Sequence, residues 1–306
     1  MEATGAGSTA SRPEPRIVST LLGHAHVEMG LACLGSLLRY SAQPLRLRVH
    51  DDGSLTANDL ERLTAELGQP RIVSRADADE RMAGFLAGRP ATRAFRAENP
   101  LGLKLLDVAL LAEEEEIAYC DSDVLFLRPF SHLFRLRPEA GALFMCDPQN
   151  AYSLRSWHLL LEPRLRRLRL PGRVNTGILA FRKRFFDPNL VEWYLSRPSF
   201  RFAPVWAEQT AWALLGAAAG CRLLDPRRIS IPLSGQARDP EQVALHFVSP
   251  VRGLLDGFLQ ASQSKEELPA EPVEIGSIEA PICGPANLAA TEIRRRWRRL
   301  RRRRLP

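Results

Sequence analysis

The sequence lacks any apolar run near the ~20 residues a membrane-spanning helix needs, so none of its 306 residues is expected to cross a bilayer. Its first residues carry neither a basic start nor an apolar segment of the secretory type, which gives the expectation of a cytoplasmic protein. Cysteine is scarce and scattered: Cys33, Cys120, Cys146, Cys221 and Cys283 are odd in number and form no Cys-x-x-Cys spacing. That speaks against a cysteine zinc site and a disulfide framework, and leaves small apolar residues of a reduced compartment. A basic body is missing too. The formal charge is +7, yet nine arginines lie between Arg294 and Arg304, and the remainder of the chain is close to neutral. Positive charge is therefore a property of the tail, not of a general nucleic-acid-binding surface.

What is present is an alternation of strand and helix. Residues 1–15, rich in Gly, Ser, Ala and Pro without periodicity, read as a disordered lead. Ile17 to Leu22 reads as a buried strand, followed by a helix carrying Met29, Leu31, Cys33, Leu34, Leu37 and Leu38. A second strand follows over Leu45 to His50, and Asp51 to Ser54 supplies turn chemistry. Leu60, Leu63 and Leu67 at helical spacing predict a helix over 57–67, closed by Gly68 and Pro70 before a third strand at Arg71 to Val73. This order predicts an α/β fold with a mostly parallel, Rossmann-like twisted sheet flanked by helices, whose ligands sit at the carboxyl ends of the strands.

Residues 76–100 read as a short helix and a loop over the site. Pro100 then opens a helix through Ala112, with the acidic block Glu113 to Glu116 expected at its solvated end. One domain is expected over 16–260, a linker over 261–290, where Glu, Pro, Ala and Ser dominate, and an arginine-rich tail over 291–306.

The chain is organised around Ile117 to Leu127, an apolar run interrupted by Asp121, Ser122 and Asp123. At the end of a buried strand, carboxylates at i and i+2 point the same way. They form a hard oxygen site for magnesium or manganese, ions that complete their shell with substrate phosphates. The alternative is a pair of solvated turn residues. Other polar points lie at element ends. Asp147 follows a strand over Ala142 to Cys146, and Asn175, Thr176 and Gly177 open one running to Phe181. Gly177 permits close approach by a ligand or marks a bulge. Glu208 and Gln209 begin a helix, and His246 lies on a short strand with Arg252 beyond it.

Lys104, the Asp121-Ser122-Asp123 stretch, Asn175-Thr176-Gly177, Glu208-Gln209 and His246, in that order, resemble a nucleotide-sugar glycosyltransferase of the GT-A fold, nearest to family 8 and its bacterial relatives, over about residues 16 to 258. The resemblance implies Mn²⁺ or Mg²⁺ held by Asp121, Asp123 and His246 against the donor diphosphate. It implies donor binding by His26, Lys104, Asp121, Ser122, Asp123, Asn175, Thr176, Gly177 and Arg252, and catalytic roles for Asp147, Glu208 and Gln209. The implied reaction moves a sugar, with retention, from a nucleotide-sugar donor, a UDP-sugar first, to a saccharide, lipid-linked or protein acceptor. Two other readings stay open: a GT-A-like protein that binds nucleotide without transfer, and a sugar nucleotidyltransferase. The latter would want a glycine-rich loop after the first strand, where this chain has Leu22-Gly23-His24-Ala25. The arginine run fits an anionic membrane surface ahead of nucleic acid, at ~1 kcal/mol per arginine.

Overall fold

The computed structural model describes residues 14–200, 203–232, 239–263 and 271–302. Most of the expected lead, residues 264–270 of the expected linker and the last four residues lie outside the described set.

Strand β1 (Arg16–Leu22) leads through α1 (Val27–Tyr40) to β2 (Leu45–Asp51), and the two strands pair parallel from Arg16 opposite Leu45 to Leu22 opposite Asp51. Helix α2 (Ala57–Glu66) starts at a capping box in which the Thr56 hydroxyl accepts from Asp59 N and Asp59 answers to Thr56 N. It leads to β3 (Arg71–Val73), again parallel to its neighbour β2. Residues 76–100 differ from the expected short helix and loop: they fold as α3 (Arg75–Leu86), capped by Ser74, and α4 (Pro90–Glu98), opened by its own proline. The apolar spacing there is diluted by arginines that pack, Arg96 forming a buried ion pair with Asp107 at 2.6 Å.

Helix α5 (Pro100–Leu110) ends before the acidic block, which therefore does not oppose the helix dipole. Glu113 and Glu114 lie in the following loop, paired with Arg71 at 2.8 Å and Arg48 at 2.7 Å. Then come β4 (Glu116–Cys120), β5 (Val124–Phe126), β6 (Phe130–Ser131) and β7 (Ala142–Cys146). Two short helices, α6 (Ser156–Leu161) and α7 (Pro163–Leu168), precede the long β8 (Val174–Arg182). Next are α8 (Pro188–Leu195), α9 (Ala207–Ala219), β9 (Cys221–Leu224), β10 (Ile229–Ser230), β11 (Ala244–His246) and α10 (Leu255–Gln263).

The central eight-stranded sheet has the order β13-β9-β7-β8-β4-β1-β2-β3, where β13 (Ser277–Glu279) is an antiparallel edge. The strand β8 also runs antiparallel, between β4 and β7. Alternate side chains of the inner strands feed two cores. Ile117, Tyr119, Leu179 and Phe181 meet α5, α8 and α9 on one face, with Trp212 fully buried against Phe144 and Phe181. Ala118, Cys120, Ile178 and Ala180 meet α1 and α2 on the other.

The stretch expected as a linker is partly ordered. Residues 271–290 contain β12 (Val273–Glu274), paired with β6, then β13 and the start of α11 (Pro285–Arg302). Strands of two or three residues are too short to show a period, which is why composition alone suggested a linker. Most of the expected tail belongs to α11. Its Leu288 and Thr291 are buried, and its Glu292 accepts from Ser156 N of α6 at 2.7 Å.

Candidate active site

At the carboxyl ends of β4 and β7, a cleft of about 670 Å³ opens between α5, the first turn of α9, the segment after β11 and α11. Asp121, Ser122 and Asp123 occupy the turn from β4 to β5, so the two carboxylates converge through a turn and not along a continuous strand. His246 reaches them because β11 pairs antiparallel with β5, which sets His246 opposite Val124, and Phe247 N donates to Asp123 O at 2.8 Å. The imidazole Nε2 lies 3.0 Å from Asp123 Oδ1 and 3.5 Å from Asp121 Oδ2. Its Nδ1 faces Asn175 Oδ1 at 3.1 Å, which also accepts from Gly177 N at 2.9 Å. An Nδ1–H donating to Asn175 leaves Nε2 turned to the two acids, the second-shell arrangement that orients a metal-ligating histidine.

Gly177 explains why the ring fits. A Cβ there would stand 2.3 Å from both Cε1 and Nδ1 of His246, so the room left by the missing side chain holds the imidazole. A bulge in β8 prepares the place: Phe144 pairs with Leu179 but Met145 with Asn175, so 176–178 have no partner on β7.

Asp121 is held from a second side. Lys104 Nζ lies 3.0 and 2.9 Å from its two oxygens, and Tyr119 donates its hydroxyl to Oδ1 at 2.6 Å. Burial alone would lower the Lys104 pKa, but Asp121 and Glu208, the latter at 3.9 Å, raise it above its ordinary value. Asp123 receives Arg252 Nη2 at 2.7 Å. Although burial opposes its ionisation, His246 and Arg252 hold its carboxyl well below the usual range. Burial likewise disfavours the charged imidazole, but the two acids outweigh it and raise the His246 pKa.

On the α9 side, Glu208 is fully buried, and burial pushes its carboxyl up to about 7 although Lys104 works the other way. One of its oxygens accepts from the Thr176 hydroxyl at 3.0 Å, and the other has no hydrogen-bond partner among the described residues. Gln209 Nε2 donates to Ala151 O at 2.7 Å, which fixes the orientation of the amide. Asp147 accepts from Asn175 Nδ2 at 3.3 Å and from Gln149 N at 2.9 Å, and burial raises its carboxyl.

Lys104, Asp121, Asp123, Asp147, Asn175, Thr176, Gly177, Glu208, Gln209, His246 and Arg252 therefore share one cleft wall. His26 and Ser122 are not on it. His26 is exposed at the rim, its Nε2 3.4 Å from Arg252 Nη1, and Ser122 is half-buried beside Gly30 of α1. Three contributors escaped sequence reading: Tyr119, Trp206 and Arg294. Tyr119 had a signal, since it stands two residues before Asp121 on the same strand face. Trp206 had a weaker one, as the residue before the helix that carries Glu208 and Gln209, and Arg294 had none, because its place depends on the docking of α11.

The atoms of Asp121, Asp123 and His246 all lie within 4.8 Å of one another. Two carboxylates and one imidazole form a donor set that fits a divalent cation such as Mn²⁺ or Mg²⁺, with positions left for phosphate oxygens.

No protein-family model matches the chain, and no curated protein matches it in sequence. Solved structures do resemble it in fold. Mouse xyloside xylosyltransferase 1 aligns with a TM-score of 0.51 at 14% identity, covering 78% of this chain and 99% of that one. The galactosyltransferase LgtC, solved with donor and acceptor sugar analogues, aligns with a TM-score of 0.47 at 15% identity, covering 83% and 98%. Core-mannan synthase A of Aspergillus fumigatus, in a Mn/GDP form, aligns with a TM-score of 0.45 at 12% identity, covering 70% and 72%. The likeness to the xylosyltransferase, together with the sheet order and the Asp-x-Asp turn at the carboxyl end of the inner strand β4, shows that this chain has the GT-A fold of glycosyltransferases.

Proposed function

We propose that this protein is a metal-dependent glycosyltransferase moving a sugar from a nucleoside-diphosphate donor, a UDP-sugar first, to an acceptor hydroxyl. The observation that carries this reading is the convergence of Asp121, Asp123 and His246, distant in sequence, on one point in a cleft that also holds Lys104 and Arg252. A divalent ion bound there, Mn²⁺ or Mg²⁺, would neutralise charge developing on the departing diphosphate.

The chain's own groups have distinct tasks. Arg252, partly exposed and held among the described residues by Asp123 and the His26 ring, is placed to turn its fork to phosphate oxygens. Lys104 holds Asp121 in position and balances the charge between Asp121 and Glu208. Asp147 and Asn175 offer acceptors and donors to sugar hydroxyls, and Glu208 and Gln209 stand in the first turn of α9, where the anomeric carbon would lie. In the transfer, the acceptor oxygen bonds to the anomeric carbon and the bond from that carbon to the phosphate oxygen breaks. Its electron pair leaves with the nucleoside diphosphate, and the hydroxyl proton passes to a diphosphate oxygen. We assign the outcome as retention. With the wild-type chain and Mn²⁺, nucleotide release from one of a panel of nucleotide sugars is expected, and Asp123→Ala should lower it at least about a hundredfold with the thermal transition retained. Equal release by the variant would remove the reading.

No helix among the described residues is long and apolar enough to cross a membrane. We further propose that the face built by α6 and α11 rests on an anionic membrane surface. Trp157, Leu161 and Trp297 are 45%, 73% and 63% exposed there, next to a run of arginines. Trp297→Glu should reduce cosedimentation with phosphatidylglycerol vesicles, and undiminished sedimentation would reject this face.

A further inference from the structure

The helix α11 brings a cation into the cleft that the donor chemistry does not use. Arg294, exposed to solvent, lines the same cavity as Val205, Trp206, Glu208 and Gln209. It is not on a loose tail. Leu288 and Thr291 of α11 are buried, Glu292 bonds the start of α6, and the guanidinium of Arg295 lies 3.4 Å from the centre of the Trp206 ring. Trp206 is the residue before α9, so this stack ties α11 to the turn that carries Glu208 and Gln209.

Every acid of the cleft already has a partner elsewhere. Asp121 has Lys104, Asp123 has His246 and Arg252, Asp147 has Asn175, and Glu208 has Thr176 and Lys104. Arg294 meets no carboxylate within ion-pair distance among the described residues. Its Nε donates to Ala290 O at 3.2 Å, one turn back, and the two terminal nitrogens have no hydrogen-bond partner among the described residues. A diphosphate would be held through a cation at Asp121, Asp123 and His246 together with Arg252, a task that uses neither Trp206 nor Arg294, so these two lining residues are left for the molecule that receives the sugar.

Resting on the transferase reading above, we propose that the acceptor is anionic, and that Arg294 binds a phosphate or carboxylate group on it while Trp206 supports the adjoining ring. A planar guanidinium with both terminal nitrogens free to donate matches such an oxyanion in a bidentate way, and an aromatic face suits the apolar side of a sugar.

The test is read by binding, with Mn²⁺ and UDP saturating so that no probe can occupy the metal site. Glucose, glucose 6-phosphate and glucuronate are titrated calorimetrically into the full chain, and phosphatidylcholine vesicles with and without phosphatidylinositol are compared by sedimentation. Glucose 6-phosphate, glucuronate or phosphatidylinositol should bind at least about tenfold tighter than its neutral counterpart. Arg294→Glu should weaken that binding by about tenfold to a hundredfold and bring the preference close to one, with Arg294→Lys in between. Preference for the soluble anions places the charge on a free sugar, and preference confined to phosphatidylinositol places it on a lipid headgroup. Equal binding of charged and neutral probes, no binding of any anion, or a preference that survives Arg294→Glu would overturn the proposal. Because no turnover is needed, a failure of nucleotide release counts against the transferase reading and a failure of selectivity counts against the anionic acceptor.

Discussion

At the scale of single residues, the site depends on a glycine as much as on its acids. The Gly177 backbone leaves the volume that the His246 ring fills, and His246 is itself buried with Asn175 on its other nitrogen. Gly177→Ala should therefore push the imidazole off its line to Asp121 and Asp123 and weaken Mn²⁺ binding at least about tenfold. Calorimetric titration with MnCl₂ checks this, and unchanged affinity would mean the ring has somewhere else to go. Asp121 and Asp123 were legible in the sequence because two acids inside an apolar run are a local signal. The meaning of Gly177 was legible only in part: its lack of a side chain pointed to a close approach, but the neighbour proved to be a histidine 69 positions further along the chain. His26 and Ser122 entered through the family resemblance: the helical turn after β1 places the first at the rim beside Arg252, and the turn after β4 places the second beside Gly30 of α1.

At the scale of elements, what matters is the short pairing of β5 with β11. Their register sets His246 beside Asp123, and the cluster of Leu125, Leu127, Leu245, Phe247 and Leu255 beneath them holds that register. Leu245→Ala should cost about 2–5 kcal/mol of stability and weaken Mn²⁺ binding as well, since the strand carrying His246 loses its anchor. Thr56→Ala, which removes the α2 cap outside the cleft lining, should cost about 1 kcal/mol and leave Mn²⁺ affinity as it was. Urea unfolding and metal titration of the same two variants separate the effects; a Leu245→Ala protein with full Mn²⁺ affinity would show that β11 does not position the histidine. Strands β1, β2 and β4 could be read from the sequence because each carries an apolar run or an apolar alternation between turn signals, and the short β3 because Gly68 and Pro70 mark its start. Strands β12 and β13 could not, being two and three residues long within a Glu- and Pro-rich stretch, and α11 was hidden because nine arginines resemble a solvated tail more than one face of a helix.

At the scale of the whole molecule, the sheet order brings together parts of the chain that local pattern cannot relate. The antiparallel insertion of β8 between β4 and β7 brings Asn175 to Asp147 and His246 and Thr176 to Glu208, and the return of α11 adds Arg294 to the lining. The α/β class and the strand-end location of the site followed from the strand and helix alternation alone. The closure by α11 did not, because it rests on contacts across 136 positions, such as Ser156 with Glu292. The central claim is that three remote side chains hold one divalent ion, and electron paramagnetic resonance of Mn²⁺ titrated into the protein with UDP tests it most directly. The account predicts one tightly bound Mn²⁺ per chain with nitrogen coupling from an imidazole. The coupling should be lost in His246→Ala, and binding should be tighter at pH 8 than at pH 6 because the raised pKa of His246 keeps it protonated at the lower value. A bound Mn²⁺ with no histidine nitrogen in its shell, and an affinity untouched by Asp123→Ala, would contradict it.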